Sequence, residues 1–162
     1  MHTLHNPVAQ QFIEQMGHIT QADGLPRIAG QILGLLLLES EPLSFAQLAI
    51  RLKVSRGSVS TNTRLLESLG VVTRSTPPNQ RGDFFRLSEA PYSKLLTGIT
   101  ERMETSKAVV EATRATLPQE MTAAHARLAE LGHFYRCYLD STRTLIQQLE
   151  HPRPEATDER SK

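Results

Sequence analysis

Two short helices, each preceded by its own serine cap, place the strongest constraint on what this chain can fold into. Ser44 is followed three residues later by Gln47, which is the spacing of a capping box. Ser55 stands in the same position before the next helical segment. An apolar pair can form a hydrophobic staple across each cap, Leu43 with Leu48 and Val54 with Val59. Two capped helices joined by a tight turn predict a helix-turn-helix.

The segments that flank this motif complete a small domain, which we predict over residues 26–90. A nearly all-apolar helix from about Pro26 to Leu38 precedes the motif and is predicted to be the central buried helix. Gly70 ends the second short helix as a C-cap, and an alternating strand "VVTRST", a turn-rich loop "PPNQRGD" and a second strand "FFRLS" follow it. A β-hairpin in this place predicts the winged form of the helix-turn-helix.

Helices on both sides of this domain predict a fold that is mainly α with a small β-hairpin. We expect an N-terminal helix over residues 7–22 to pack on the dimerisation region through the stripe of Val8, Phe12 and Met16. Residues 91–150 repeat apolar or small side chains in four-three steps, which is typical of long dimerisation helices. A helical hairpin within one chain would give the same pattern. The polar, proline-containing tail, residues 151–162, is predicted to be disordered.

The second short helix has two different faces when its residues are placed at about 100° steps. Val59 and Leu66 lie on the side that is predicted to be buried, and small, hydroxylic and basic side chains lie opposite. Hydroxyl groups can donate to phosphates or base edges, and arginine can bind guanine through two hydrogen bonds. We therefore predict a DNA-binding surface formed by Ser55, Arg56, Gly57, Ser58, Ser60, Thr61 and Arg64.

Arginines on the hairpin extend this predicted surface. Arg81, beside Gly82 at the hairpin tip, can enter a narrow minor groove, and Arg74 on the first strand is a second predicted contact. Positive charge is concentrated in this part of the chain. Residues 42–90 hold seven basic and three acidic side chains, whereas the net charge of the whole chain is only +1. An ordinary solvated turn and a serine-rich helix start are the alternative interpretation of the same residues.

Composition favours a cytoplasmic protein that makes no membrane contact. The single cysteine, Cys137, cannot form an internal disulfide, and the longest apolar run, residues 32–38, is too short to cross a bilayer. Nucleotide-binding, nucleophile-elbow and zinc-protease motifs are absent from the sequence, so we predict no enzyme, no catalytic residue, no cofactor and no metal. Two interpretations of Cys137 stay open, a redox role beside Arg136 and packing in a helix interface.

The segment from Gly24 to Val72 resembles the GbsR-type branch of MarR-like transcriptional regulators. The matching pieces are "GLPRIAG" before the central helix, "EPLSFAQLA" at the first short helix and "SRGSVSTNTRLLESLGVV" at the second. The resemblance covers about residues 8 to 90, and the later helices agree in kind only. It implies a homodimer, a recognition helix contacting DNA from Ser55 to Arg64, a wing contact from Arg81, and repression relieved by a small-molecule effector.

The residues present do not show that this chain binds the quaternary ammonium ligands associated with some members of this branch. Those members govern choline and glycine betaine genes, and quaternary ammonium groups are usually bound by aromatic cages. This chain has no Trp, five Phe and three Tyr, so the effector-binding residues stay unknown.

The sequence thus predicts a dimeric regulator that binds a pseudo-palindromic double-stranded DNA site. A winged-helix module that binds another protein, without direct DNA contact, is the rival hypothesis. The overall pI near 8.0 is low for a DNA-binding protein and keeps that rival open.

Overall fold

The computed structural model describes residues 6–76 and 81–151 of the chain. In chain order its elements are α1 (Pro7–Ala22), α2 (Arg27–Leu38), β1 (Leu43–Ser44), α3 (Phe45–Leu52), α4 (Arg56–Ser68), β2 (Val72–Ser75), β3 (Phe84–Leu87), α5 (Pro91–Thr116) and α6 (Thr122–Glu150). They divide into two compact units, residues up to 91 and residues from 92 onward. The mainly helical winged-helix fold predicted from the sequence is confirmed.

The first unit is built around α2, as its all-apolar sequence predicted. Ala29, Ile32 and Leu35 are completely buried. Helix α1 packs directly on α2, where Gly30 lies so close to α1 that an added Cβ would fall on the Met16 carbonyl oxygen and the Thr20 side chain. The expectation that α1 joins the dimerisation region stays a prediction, but its main partner within this unit is α2.

Both predicted serine caps are present and fix the helix-turn-helix. The Ser44 hydroxyl accepts the Gln47 N–H at 3.3 Å, and the Gln47 side chain accepts the Ser44 N–H at 2.8 Å, which completes the capping box. Helix α3 ends at Lys53, whose φ of 55° is left-handed and turns the chain sharply towards α4. Helix α4 is anchored by Val59, which is fully buried.

The wing is tied to the helix-turn-helix by a strand that the sequence did not predict. The antiparallel sheet has the order β1-β3-β2, in which Leu43 pairs with Phe85 and Arg74 pairs with Phe85 from the other side. Strand β1 is only two residues long, too short to show an alternating pattern. The predicted hairpin strands are confirmed, although residues 77–80 of the loop between them lie outside the described part of the chain.

Gly70 makes the turn from α4 into the wing, as predicted. Its N–H donates to the Glu67 carbonyl at 2.9 Å and the next N–H, of Val71, donates to the Leu66 carbonyl at 3.1 Å. These two bonds form a Schellman motif. The φ of 75° at Gly70 is a backbone conformation that residues other than glycine rarely adopt. The end of the recognition-helix candidate is therefore held at a fixed angle to β2.

The second unit consists of α5 and α6, which run in antiparallel directions and touch at a few positions. The space beside Gly132 is occupied by the Val110 side chain, and the Arg143 guanidinium binds the Glu104 carboxylate at 2.6 Å. An intrachain hairpin thus accounts for part of the four-three pattern. Other residues of that pattern remain exposed in the single chain, including Met121, Leu131, Leu145 and Leu149. The role of residues 91–150 in dimerisation stays a prediction, and the predicted disordered tail, apart from His151, lies outside the described residues.

Among the described helices, none combines the length and the hydropathy needed to cross a bilayer.

The close approach of α1 and α2 can be tested by Gly30→Ala. Because the new methyl group would overlap backbone as well as side-chain atoms of α1, we expect the free energy of unfolding to fall by about 1–3 kcal/mol. Gly57→Ala is the matched control within the same unit, since a Cβ there meets only the Ser55 hydroxyl oxygen, at 3.8 Å. Urea denaturation of both variants measures the difference. Equal stability of the two variants would contradict the packing described.

Candidate nucleic-acid interface

The N-terminus of α4 is organised by two serine hydroxyls. The Ser55 hydroxyl accepts the Ser58 backbone N–H at 3.1 Å, and the two hydroxyl oxygens lie 2.9 Å apart. Both side chains therefore stabilise the start of the helix. They also belong to the predicted contact surface. The first-turn amides point along the helix axis and carry the positive end of its dipole, which favours an anion at this end.

The two faces of α4 separate largely as the sequence predicted. Val59, Asn62, Thr63 and Leu66 are buried. Gly57, Thr61 and Arg64 are exposed, together with Ser55 and Arg56, whereas Ser58 and Ser60 are half-buried. Five of the seven predicted contact residues are thus exposed, and we call these five the exposed strip: Ser55, Arg56, Gly57, Thr61 and Arg64.

The buried polar residues of α4 are used inside the protein. The Asn62 amide donates to the Ser58 carbonyl at 2.7 Å, and the Thr63 hydroxyl donates to the Val59 carbonyl at 2.9 Å. These internal bonds satisfy donors that would otherwise be costly to bury. Neither side chain points towards the exposed strip, so recognition through this helix depends on the outer residues.

Several arginine side chains of α4 and the wing have no partner among the described residues. Among the described residues, four arginines of α4 and the wing are exposed and take part in no hydrogen bond or ion pair: Arg56, Arg64, Arg81 and Arg86. Unpaired guanidinium groups are suited to bind phosphates or the guanine edge. Arg86 was not among the predicted contacts, although its exposed position on β3 places it in the same basic set.

Arg74 is the exception, because its guanidinium is held by acidic side chains of the protein. It binds the Glu67 carboxylate through two nitrogens, at 2.8 and 3.1 Å, and lies 3.3 Å from a carboxylate oxygen of Asp83. Its guanidinium carbon also lies 5.7 Å from the centre of the Phe85 ring. The hydrogen bond with Glu67 raises the pKa of Arg74 above its ordinary value, so the group stays charged.

This ion-pair network, which we call the Arg74 clip, changes the electrostatics of the surface. Glu67 and Asp83 are the acidic residues of α4 and the hairpin, and the clip pairs both of them. The single positive charge of Arg74 offsets one of these two negative charges, while the four partner-free arginines are not paired within the described part of the protein. The clip also connects α4 to both sides of the wing.

Comparison with known proteins shows what this geometry is similar to. Residues 23–82 match the MarR family model. The chain is 39% identical over 82 residues to the HTH-type transcriptional regulator MmpR5 of Mycobacterium tuberculosis, a match that spans half of each protein. A solved structure of a transcriptional regulator covers 89% of this chain and 99% of its own, with 26% identity and a TM-score of 0.77. The chain has the MarR winged-helix fold.

The two similar proteins are described as transcriptional regulators, and that this chain catalyses no reaction stays a prediction. The match supports a MarR-family winged helix-turn-helix regulator, and the narrower GbsR-type assignment stays a prediction. Within the MarR fold, α4 occupies the position of the recognition helix and β2 and β3 form the wing.

Sequence reasoning missed the partners of Arg74, although one signal was available. Glu67 is the single acidic residue of α4, and Arg74 follows it across the Gly70 turn. A helix that reverses into a strand at a Schellman motif brings such residues together, but only the tertiary structure adds Asp83 and Phe85. The predicted DNA contact from Arg74 competes with these partners.

The second unit of this MarR-fold protein holds the remaining candidate groups. Cys137 is exposed, and its sulfur lies 3.6 Å from Nε2 of His133. The described residues contain no cluster of three or more His, Cys, Asp or Glu side chains that could hold a metal. His125 is half-buried on the same helix and does not join the Cys137–His133 pair.

Gly57→Ala distinguishes an effect on the stability of the fold from an effect on DNA binding. The methyl group makes only an ordinary contact with the Ser55 hydroxyl oxygen in the free protein, so we expect equal or slightly higher stability, by about 0.5 kcal/mol. If the first turn of α4 approaches a nucleic-acid backbone closely, the same change should weaken DNA binding. Fluorescence anisotropy with a labelled duplex, together with urea denaturation, measures both effects. Unaltered DNA affinity would argue against close approach at Gly57.

The Arg74 clip makes a second prediction, which a double-mutant cycle of DNA affinity can test. If Arg74 acts by positioning the wing, Arg81→Ala should cost less in an Arg74→Ala background than in the wild type, with a coupling energy of about 0.5–1 kcal/mol. Arg56→Ala serves as the control, because Arg56 lies on α4 itself and its cost should be independent of Arg74. Additive costs for Arg74 and Arg81 would instead support a direct DNA contact from Arg74.

Proposed function

We propose that this chain is a dimeric, sequence-specific DNA-binding transcriptional regulator that acts as a repressor and responds to a small molecule. The single observation that carries the proposal is the charge pattern of the interface. The acidic side chains of α4 and the wing are paired by Arg74, whereas four exposed arginines of α4 and the wing are without partners among the described residues. Such a surface favours a polyanion over a protein partner.

The proposed contacts follow from the position of each side chain. Arg64 and Thr61 on the exposed face of α4 would read base edges in the major groove, where arginine can bind guanine through two hydrogen bonds. The first turn of α4 would bind the phosphate backbone. Arg81 would contact the neighbouring minor groove or its phosphates. The proposed set is Ser55, Arg56, Gly57, Ser58, Ser60, Thr61, Arg64 and Arg81, with Arg74 acting through the wing.

A second copy would bind through the long helices of the second unit. Helix α6 carries exposed apolar side chains, among them Leu131, Phe134, Leu145 and Leu149, which are 38–55% exposed in the single chain. Two copies related by a two-fold axis would present two recognition helices, so the operator would be pseudo-palindromic, with half-sites about one helical turn or a multiple apart. MarR-family proteins commonly form dimers, which supports this arrangement.

Repression and effector response are the finer parts of the proposal. A dimer bound to an operator would block access of the transcription machinery, and a ligand with different affinities for the free and DNA-bound forms would change occupancy. A regulator of this kind would act in the cytoplasm, where bacterial DNA lies. The resemblance to the GbsR-type branch supports the effector response but does not identify the ligand.

The test uses a duplex that the protein itself selects from a random-sequence library. Arg64→Ala should weaken binding to that duplex by about 1–3 kcal/mol and reduce its preference over unrelated DNA. Arg81→Ala should weaken binding to both duplexes more evenly. Arg127→Ala, an exposed arginine on α6, is the matched control and should leave affinity unchanged. Anisotropy at fixed salt gives the values, and wild-type affinity in both test variants would refute the proposed surface.

A further inference from the structure

Two buried polar side chains of α4 hold carbonyl groups in the first two turns of the helix. The Asn62 amide donates to the Ser58 carbonyl oxygen at 2.7 Å. The Thr63 hydroxyl donates to the Val59 carbonyl oxygen at 2.9 Å and approaches that of Ser60 at 3.2 Å. Three successive carbonyls therefore lie within hydrogen-bond distance of a side-chain donor on the buried side of the helix. We call this set of hydrogen bonds the α4 brace.

The two donor side chains of the brace are inaccessible to DNA and are not explained by stability. Asn62 is 5% exposed and Thr63 is 0% exposed. The Oδ1 atom of Asn62 is buried and has no hydrogen-bond partner among the described residues. A buried acceptor without a partner is destabilising, and a leucine of similar size would avoid it. The stability of the fold therefore gives no reason for an amide at position 62.

The brace connects the cap of α4 to the middle of the helix. The Ser58 backbone N–H donates to the Ser55 hydroxyl at 3.1 Å, while the Ser58 carbonyl accepts the Asn62 amide. Both backbone groups of Ser58 are thus held by side chains. The exposed side chains of Thr61 and Arg64 lie on either side of Asn62 along the chain. The first turn is therefore fixed relative to the residues that are proposed to read base edges.

The brace acts on the curvature of α4. Helices at a protein surface usually curve so that they are convex towards solvent, because the carbonyls on the solvent side tilt outwards and their backbone hydrogen bonds lengthen. Side-chain donors that bind carbonyls one turn earlier tilt them in the same way and bend the helix. In α4 these donors lie on the buried side, so the lengthening falls on the opposite edge. The brace therefore opposes the usual curvature and straightens the helix.

A straight α4 allows two kinds of DNA contact at the same time. Gly57 in the first turn and Arg64 are seven residues apart, which is about 10 Å along a helix axis. In a helix that is convex towards solvent, the ends recede from the groove when the middle docks. The first turn would then lose its phosphate contact whenever Arg64 reached a base edge. Because a base contact through two hydrogen bonds depends on orientation, such curvature would reduce sequence discrimination.

We propose that Asn62 and Thr63 are positioning residues for sequence recognition. By straightening α4, they let the first turn bind phosphate while Arg64 forms its two hydrogen bonds to a base. Their removal lowers the discrimination between DNA sequences more than it lowers the affinity for DNA in general. The effect on the helix axis stands on the geometry of α4 alone, whereas the effect on recognition rests on the proposed function.

The helix axis is measured first, on the full chain without DNA. The double variant Asn62→Leu/Thr63→Val removes both donors and nearly preserves side-chain size. Residual dipolar couplings of the backbone N–H groups give the angle between residues 56–60 and residues 64–68. This angle should change in the double variant and in each single variant, which serve if the double variant fails to fold. Thr63→Ser keeps the hydroxyl and should retain the wild-type angle. An unchanged angle in the variants without donors would overturn the inference.

Thr100→Val is the matched control for removal of a buried helical hydroxyl. Thr100 is 8% exposed and donates to the Leu96 carbonyl at 2.8 Å, which is the same kind of bond in α5. This variant should retain both the wild-type angle of α4 and the wild-type discrimination between DNA sequences. A loss of discrimination in Thr100→Val equal to that in Thr63→Val would contradict a role specific to α4.

The effect on recognition is the ratio of Kd for an unrelated duplex to Kd for the selected duplex. This ratio should fall about fivefold in the double variant, part of what one base contact through two hydrogen bonds provides, while Kd for the unrelated duplex changes less than about twofold. Thr63→Ser should restore the ratio relative to Thr63→Val. The urea midpoint of Asn62→Leu should equal or exceed that of the wild type. Equal weakening towards both duplexes, together with a lower urea midpoint, would indicate a merely structural role and overturn the proposal.

Arg64→Ala shows whether the brace acts through the base-reading arginine. In this background the double variant should cause no further loss of discrimination, because the contact that the brace aligns has been removed. A full fivefold loss there would refute the proposed route through Arg64. A wild-type protein that binds no duplex would refute the proposed function, and the role in recognition with it. The dipolar couplings would still decide whether the brace straightens α4.

Discussion

The burial of Phe85 is the interaction on which the geometry of the DNA-binding unit depends. Its ring is completely buried, it packs edge-on against Phe45 with 4.7 Å between ring centres, and its backbone lies in the middle strand of the sheet. Burial of such a side chain contributes about 1.5–3 kcal/mol, and a favourable aromatic pair adds about 0.5–1.5 kcal/mol. Phe85 thus joins the start of α3 to the wing.

The packing of Phe85 also positions the charged side chains of the wing. Phe85 also lies below the Arg74 guanidinium, which reaches Glu67 on α4 and Asp83 before β3. The apolar contact fixes where the wing lies, and the ion pairs fix how its strands face α4. Exposed ion pairs contribute little to stability on their own. Their effect here is on the surface, because the positive charge of Arg74 offsets one of the two acidic charges of α4 and the hairpin.

Local rules explain what the sequence predicted well. The serine caps of α3 and α4, the buried helix α2, the Gly70 turn and the two faces of α4 each depend on residues within a few positions of one another. Spacing and residue type were therefore sufficient. The exposed positions of Thr61 and Arg64 followed from the same helical geometry.

The features that sequence reasoning missed depend on contacts between distant segments. Strand β1 exists because Leu43 pairs with Phe85, and Arg74 is paired within the protein because Asp83 and Glu67 converge on it. The four-three pattern of α5 and α6 could not distinguish partners, since the Arg143–Glu104 pair and the Val110–Gly132 contact lie within one chain while Leu145 and Leu149 stay exposed.

The central claim is that the partner-free arginines of α4 and the wing make this protein bind DNA. The most direct measurement is the slope of log K against log salt concentration, for the wild type and for a variant in which Arg56, Arg64, Arg81 and Arg86 are all glutamine. Counterion release predicts a steep negative slope for the wild type, which becomes shallower by about 0.9 for each phosphate that the variant no longer neutralises. A slope that is the same in both proteins, or no DNA binding even at low salt, would contradict the account.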